Sequence, residues 1–149
     1  MMNKNNIIAG LGGAIVLTIL NETLKNVSPK MPRINIVGEE AVQKTAALVG
    51  INMENEDALM GTALMGDIVS NTAYYSLING EGNDLWLKAA ASGLAAGLGA
   101  VNLPEKLGLN DEPVAQSMTT KVWTVAYYMI GALATATILK FMDKSYKIS

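Results

Sequence analysis

Asp67 is the residue of this chain whose chemistry most needs an explanation. It stands ninth in a twenty-residue run, Leu59 to Ile78, that carries no other charge. At helical spacing Asp67, Ser70, Asn71 and Tyr74 fall at i, i+3, i+4 and i+7, so they share one face. A carboxyl backed by a hydroxyl, an amide and a phenol on an apolar helix can hold a proton, bind a cation or take a polar lipid headgroup. Ionisable residues inside a membrane segment are functional candidates by default. The same carboxyl can instead be a helix lock, bonded to Asn71 and to a neighbouring helix. Two more charges are candidates for this site. Glu22, beside Asn21, lies near the end of the first apolar run. Arg33, after Pro32, can fold back as a counter-ion to either carboxylate.

Other chemistries are excluded by composition. The 149 residues contain no Cys and no His. That removes disulfides, thiolate and imidazole metal sites, a catalytic cysteine and a Ser-His-Asp triad. The formal net charge of −2 leaves no nucleic-acid footprint. Lipid-processing enzymes need several ligands converging on a phosphate group. The chain offers no Asp-rich pair, no Gly-rich phosphate loop and no activated nucleophile, so an enzyme is not expected. The nine Met residues could suggest copper, but without His or Cys and without a tight Met cluster they read as core filling. No metal and no cofactor is expected.

The elements that must position Asp67 are four apolar segments. Charged residues make up 16% of the chain, against about 25% in a soluble domain, and the mean hydropathy is +0.27. Residues 7–24, 59–78, 85–103 and 122–139 are each long enough for one span at about 1.5 Å per residue. Asn5 or Asn6 can cap the first, Asn55 the second. Asn79-Gly80 stops the second, and Pro104 closes the third. The fourth has no charge and no polar stripe, with Trp123 near one end and Lys140, Asp143, Lys144 and Lys147 beyond the other. Pro113 can start a helix ahead of it. The link Asn79 to Asp84 is a tight turn, so spans two and three should be antiparallel neighbours. The first link holds an extended stretch and then a short helix over residues 38–49, able to lie on the membrane surface or cover the bundle end. Tyr74-Tyr75 reads as an interface belt. Tyr127-Tyr128 reads as packing with one hydroxyl bonded. The basic residues divide five to six between the two sides, which gives no orientation.

Span two is marginal alone. Asp67 costs about 2.5–3.5 kcal/mol on insertion, and the six large aliphatics of the run return about 2–4. It should therefore turn Asp67 inward against its neighbours. Helices in lipid associate by close packing of small residues. Gly93 and Gly97 form a GxxxG pair in span three, Gly13 lies in a Gly-rich turn of span one, and Gly131 in the small-residue part of span four. These are expected to pack the bundle, with a self-association face as the other use.

Asn21-Glu22, Pro32-Arg33, Gly66-Asp67, Ser70-Asn71 and Tyr74-Tyr75, followed by a Gly/Ala-rich third span closed by Pro104, resemble a group of small uncharacterised four-span bacterial inner-membrane proteins. The resemblance implies a bacterial inner-membrane setting and brings no activity, so no catalytic residue is carried over. The expectation is thus one all-α domain over residues 1–149, an integral membrane four-helix bundle with a short extra helix in the first loop. Its partners would be the lipid bilayer and, through its small-residue faces, a second copy or a membrane complex, with no nucleic acid. Its function would be ion, proton or lipid binding or transport at Asp67 and Asn71. The alternatives are an accessory subunit whose Asp67 only packs helices, and a soluble helical bundle.

Overall fold

The computed structural model describes residues 2–148, with the backbone alone for residues 146 and 147. The side chain of Lys147, expected beyond the fourth span, therefore lies outside the described residues. Every regular element among the described residues is a helix: α1 (Lys4–Leu24), α2 (Ile34–Leu48), α3 (Glu56–Tyr75), α4 (Gly82–Lys106), α5 (Glu112–Ala115) and α6 (Met118–Ile148). Two of them, α1 and α6, are long and apolar enough to cross a membrane.

The four long helices alternate in direction and stand in the spatial order α3, α1, α6, α4. Small residues set this order. A Cβ on Gly10 would lie 2.7 Å from the Thr72 carbonyl, one on Gly13 2.5 Å from the Gly131 carbonyl, and one on Gly97 2.6 Å from the Val125 Cα. Gly93 is likewise held against the Met129 backbone. Backbone contact at these positions brings α1 onto α3 and α6, and α4 onto α6. Tyr75 fills the junction of α1, α3 and α6. It is fully buried, and its hydroxyl donates to the Tyr128 carbonyl at 2.9 Å. The expected interface belt thus fails at Tyr75, because Gly13 and Gly131 leave room for its ring inside. The expected hydroxyl bond of the Tyr127-Tyr128 pair fails too: the Tyr127 hydroxyl is buried with no partner among the described residues.

Several boundaries move. The cap of α1 is Asn3, which accepts from the Asn6 N–H at 3.0 Å, not Asn5 or Asn6. Asn6 is buried instead, donating to the Ile78 carbonyl at 2.9 Å and so tying the α3–α4 turn to the start of α1. Helix α3 stops at Tyr75, three residues short of the apolar run. Pro104 does not close α4, because it sits in the last turn, where only the bond to Ala100 is lost. Gly108, at φ +76°, ends the helix, and the Leu109 N–H returns to the Pro104 carbonyl at 2.8 Å. Helix α2 begins at Ile34, four residues before the expected start. Its first N–H is taken by Asn21 of α1, whose Oδ1 accepts from Ile34 N at 2.9 Å. Pro113 does start a helix, but this is the single turn α5, and the chain breaks before α6.

The helices of the second and third apolar runs, α3 and α4, are antiparallel but are not packed neighbours. They are the two ends of the row, and they face each other across a cleft bridged by the Tyr74 hydroxyl, which donates to the Ser92 carbonyl at 2.9 Å. Helix α2 lies across α3 at the α1 C-terminal end of the bundle. It is tied to the α4–α5 loop by Glu40, which accepts from the Asn110 N–H at 2.8 Å, and by Lys44, which donates to the Gly108 carbonyl.

Candidate functional site

The cleft between α3 and α4 has a volume of about 470 Å³. Asp67, Ser70, Asn71 and Tyr74 line it from α3, so the four residues matched by helical spacing do share one wall. Ala95, Ala96, Gly99 and Ala100 of α4 form the opposite wall. Tyr128 of α6 lines it from between them, and Val37, Gly38 and Ala41 of α2 close it at one end. The surroundings are therefore apolar, with the polar groups gathered on α3 and α6.

Asp67 is half-buried at the meeting point of three cavities. Besides the cleft it lines a cavity of about 210 Å³ between α1, α2 and α3, and one of about 680 Å³ beneath α2. Its carboxyl has no hydrogen bond and no ion pair among the described residues, and neither do the side chains of Ser70 and Asn71. The expected lock between Asp67 and Asn71 is thus not made. A half-buried carboxyl without a partner is unusual, because folding removes part of its hydration and returns nothing.

The other candidates fall in different places. Glu22 is paired with Lys25 at 2.6 Å, one turn along α1, and it reaches Asp67 only by sharing the 210 Å³ cavity. Arg33 is exposed and pairs with no carboxylate among the described residues. It lines a separate groove with Pro29, Met31 and Glu112, held there by its own N–H on the Pro113 carbonyl at 2.9 Å. The counter-ion role is corrected accordingly: Pro113 anchors the backbone of Arg33 outside the bundle. Gly13, Gly131, Gly93 and Gly97 all lie at helix contacts within the chain.

Two sets of site residues escape the sequence reading. The small wall of α4 has a signal, since Ala95, Ala96, Gly99 and Ala100 repeat at i, i+1, i+4 and i+5, a face distinct from Gly93 and Gly97. Tyr128 has none, because its place depends on how α6 crosses α3. Among the described residues no group of three or more acidic, His or Cys side chains could hold a metal ion. No protein-family model, no curated protein and no solved structure matches this chain.

Proposed function

We propose that this chain is a four-span membrane protein that binds a polar or charged ligand at Asp67, inside the cleft between α3 and α4. The distribution of side chains supports the membrane part. Large aliphatics point outward on each long helix: Ile15 is 42% exposed on α1, Val69 61% on α3, Leu98 48% on α4 and Ile130 41% on α6. The core holds Leu17, Ile78, Leu85 and Leu139, and with them Asn21, Thr124, Thr135 and Ser76, all buried. Exposed large aliphatics on all four long helices exceed what a water-soluble monomer ordinarily carries. Hydrocarbon solvates the outer leucines, and the threonines return their hydroxyls to their own helix, as Thr135 does to the Gly131 carbonyl at 3.0 Å.

The observation that carries the ligand site is the unpartnered carboxyl of Asp67 facing an apolar cleft. An acid placed there to lock helices would be spent on another helix. This one is left available, with Ser70 and Asn71 one turn along the same wall. Dicyclohexylcarbodiimide, which modifies carboxyls in apolar surroundings, tests this in lipid nanodiscs. The expected adduct maps to Asp67 and disappears in Asp67→Asn. Adducts confined to the surface acids would overturn the assignment. A chain that stays monodisperse in plain buffer would overturn the membrane reading itself.

A further inference from the structure

Given the ligand site proposed above, on which this inference rests, the question is what chemical class the cavity accepts. Anions are disfavoured by the lining. Among the residues around the 470 Å³ cleft, the charged one is Asp67, and around the adjoining 210 Å³ cavity they are Glu22, Asp57 and Asp67. Among the described residues, no Lys or Arg lines either cavity. Lys25, Lys44 and Lys88, the lysines in ion pairs, are engaged with Glu22, Glu40 and Asp84.

Small metal cations are disfavoured by the ligand count. A dehydrated divalent ion needs about six oxygen ligands in a tight shell. One carboxylate, one amide and the hydroxyls of Ser70, Tyr74 and Tyr128 fall short of that shell, with Tyr74 already bonded to the Ser92 carbonyl and the facing wall Ala and Gly. A cation that carries its own apolar body has neither problem. It needs one counter-charge, apolar walls and aromatic faces, and the cleft offers Asp67, the α4 small wall, and Tyr74 with Tyr128. Its volume is also in the range of pockets for compact organic molecules, roughly 300–1,000 Å³. The nearby charge fits the same class. Asp57 and Glu22 stand at the α2 end of the 210 Å³ cavity, and along α3 the ten residues from Asp57 to Asp67 span about 15 Å. Asp67 lines both cavities, so the acids of the smaller one add to the negative charge near the cleft.

We propose that the α3–α4 cleft binds a lipophilic organic monocation, its charge on Asp67 and its apolar body against Ala96, Gly99 and Ala100. The probe is tetraphenylphosphonium, titrated into the full chain in nanodiscs, with tetraphenylborate as a control of matching shape and opposite charge. The expected result is saturable binding of the cation, displaced by dodecyltrimethylammonium but not by millimolar magnesium, and no saturable binding of the anion. Asp67→Asn should weaken binding at least about tenfold, Asp67→Glu should keep most of it, and Ala96→Leu, which fills the cleft and leaves the charge, should abolish it. The bound cation should also protect Asp67 from the carbodiimide. Equal binding of both probes, or affinity unchanged in Asp67→Asn and Ala96→Leu, would overturn the proposal. Should Asp67→Asn fail to fold, Ala96→Leu and Asp67→Glu decide it. Carbodiimide labelling of Asp67 without tetraphenylphosphonium binding would sink the ligand class and leave the site. Loss of both would sink the site as well.

Discussion

Single residues in this chain divide by what their neighbours leave them. Gly13 has no room: a Cβ there would meet the Gly131 carbonyl at 2.5 Å and the Thr135 hydroxyl. Gly61, also inside a helix, would meet nothing within 4 Å. Gly13→Ala should therefore cost about 1–3 kcal/mol through forced displacement of α6. Gly61→Ala should gain about 0.5–1 kcal/mol from reduced backbone entropy. Unfolding in mixed micelles measures both, and a matching sign for the two would contradict the packing described. Asp67 divides from the other acids by the same reasoning. Breaking a buried ion pair typically costs about 3–5 kcal/mol, but Asp67 has no ion-pair partner among the described residues to orphan. Asp67→Asn should leave stability unchanged or raise it, and a loss on the buried-pair scale would return the residue to a packing role.

The helices show which signals are local. The apolar runs place α1, α3 and α4 to within three residues, because hydrophobic length is written along the chain, whereas α6 runs on through the lysines to Ile148, nine residues past the end of its run. The short helix of the first link was legible as an element but not at its start, since its cap comes from Asn21, thirteen residues earlier on α1. The end of α4 was misread for a smaller reason: proline is tolerated when the one bond it removes lies in the last turn, and Gly108 supplies the actual stop. The separation of α3 from α4 was not legible at all. A six-residue link makes them sequential, but close packing on α1 and α6 decides their distance, and that depends on glycines in other helices. The contact of α2 with the α4–α5 loop was equally invisible, and it has a pH signature. The Lys44 ammonium and the Asn110 N–H hold the Glu40 carboxyl below its ordinary value of 4.5. A lowered folded value means the contact adds stability fully above about pH 4.5 and loses it as pH falls through the folded value. The protection factor of the Asn110 amide, its exchange relative to the free-peptide rate at the same pH, should fall on acidification through that window, and in Glu40→Gln it should be low throughout. An amide equally protected at pH 3 and pH 7 would dismiss the latch.

At the scale of the whole molecule the decisive property is which side of each helix is oily. Two helices, α1 and α6, are long and apolar enough to cross a membrane, but the sequence does not say which face of α1 or α4 looks outward. The fold exposes large aliphatics on every long helix around a core that mixes Leu17, Ile78, Leu85 and Leu139 with small and hydroxyl residues, and this makes the solvent testable by one side chain. Leu98 is 48% exposed on the outer face of α4, away from the Gly93–Gly97 contact with α6. In water a lysine there would be an ordinary surface substitution, within about 0.5 kcal/mol of neutral. In hydrocarbon it would place a charge near the middle of the apolar band and cost about 2.5–3.5 kcal/mol on insertion. Lys88, in the second turn of α4, provides the internal comparison, since it lies toward the helix start and is paired with Asp84 at 2.8 Å. Leu98→Lys should therefore sharply reduce the membrane-integrated fraction of the chain in a translocation assay, whereas Leu87→Lys, at the end of the same helix, should reduce it much less. Equal tolerance at the two positions would mean that the outer leucines face something other than lipid.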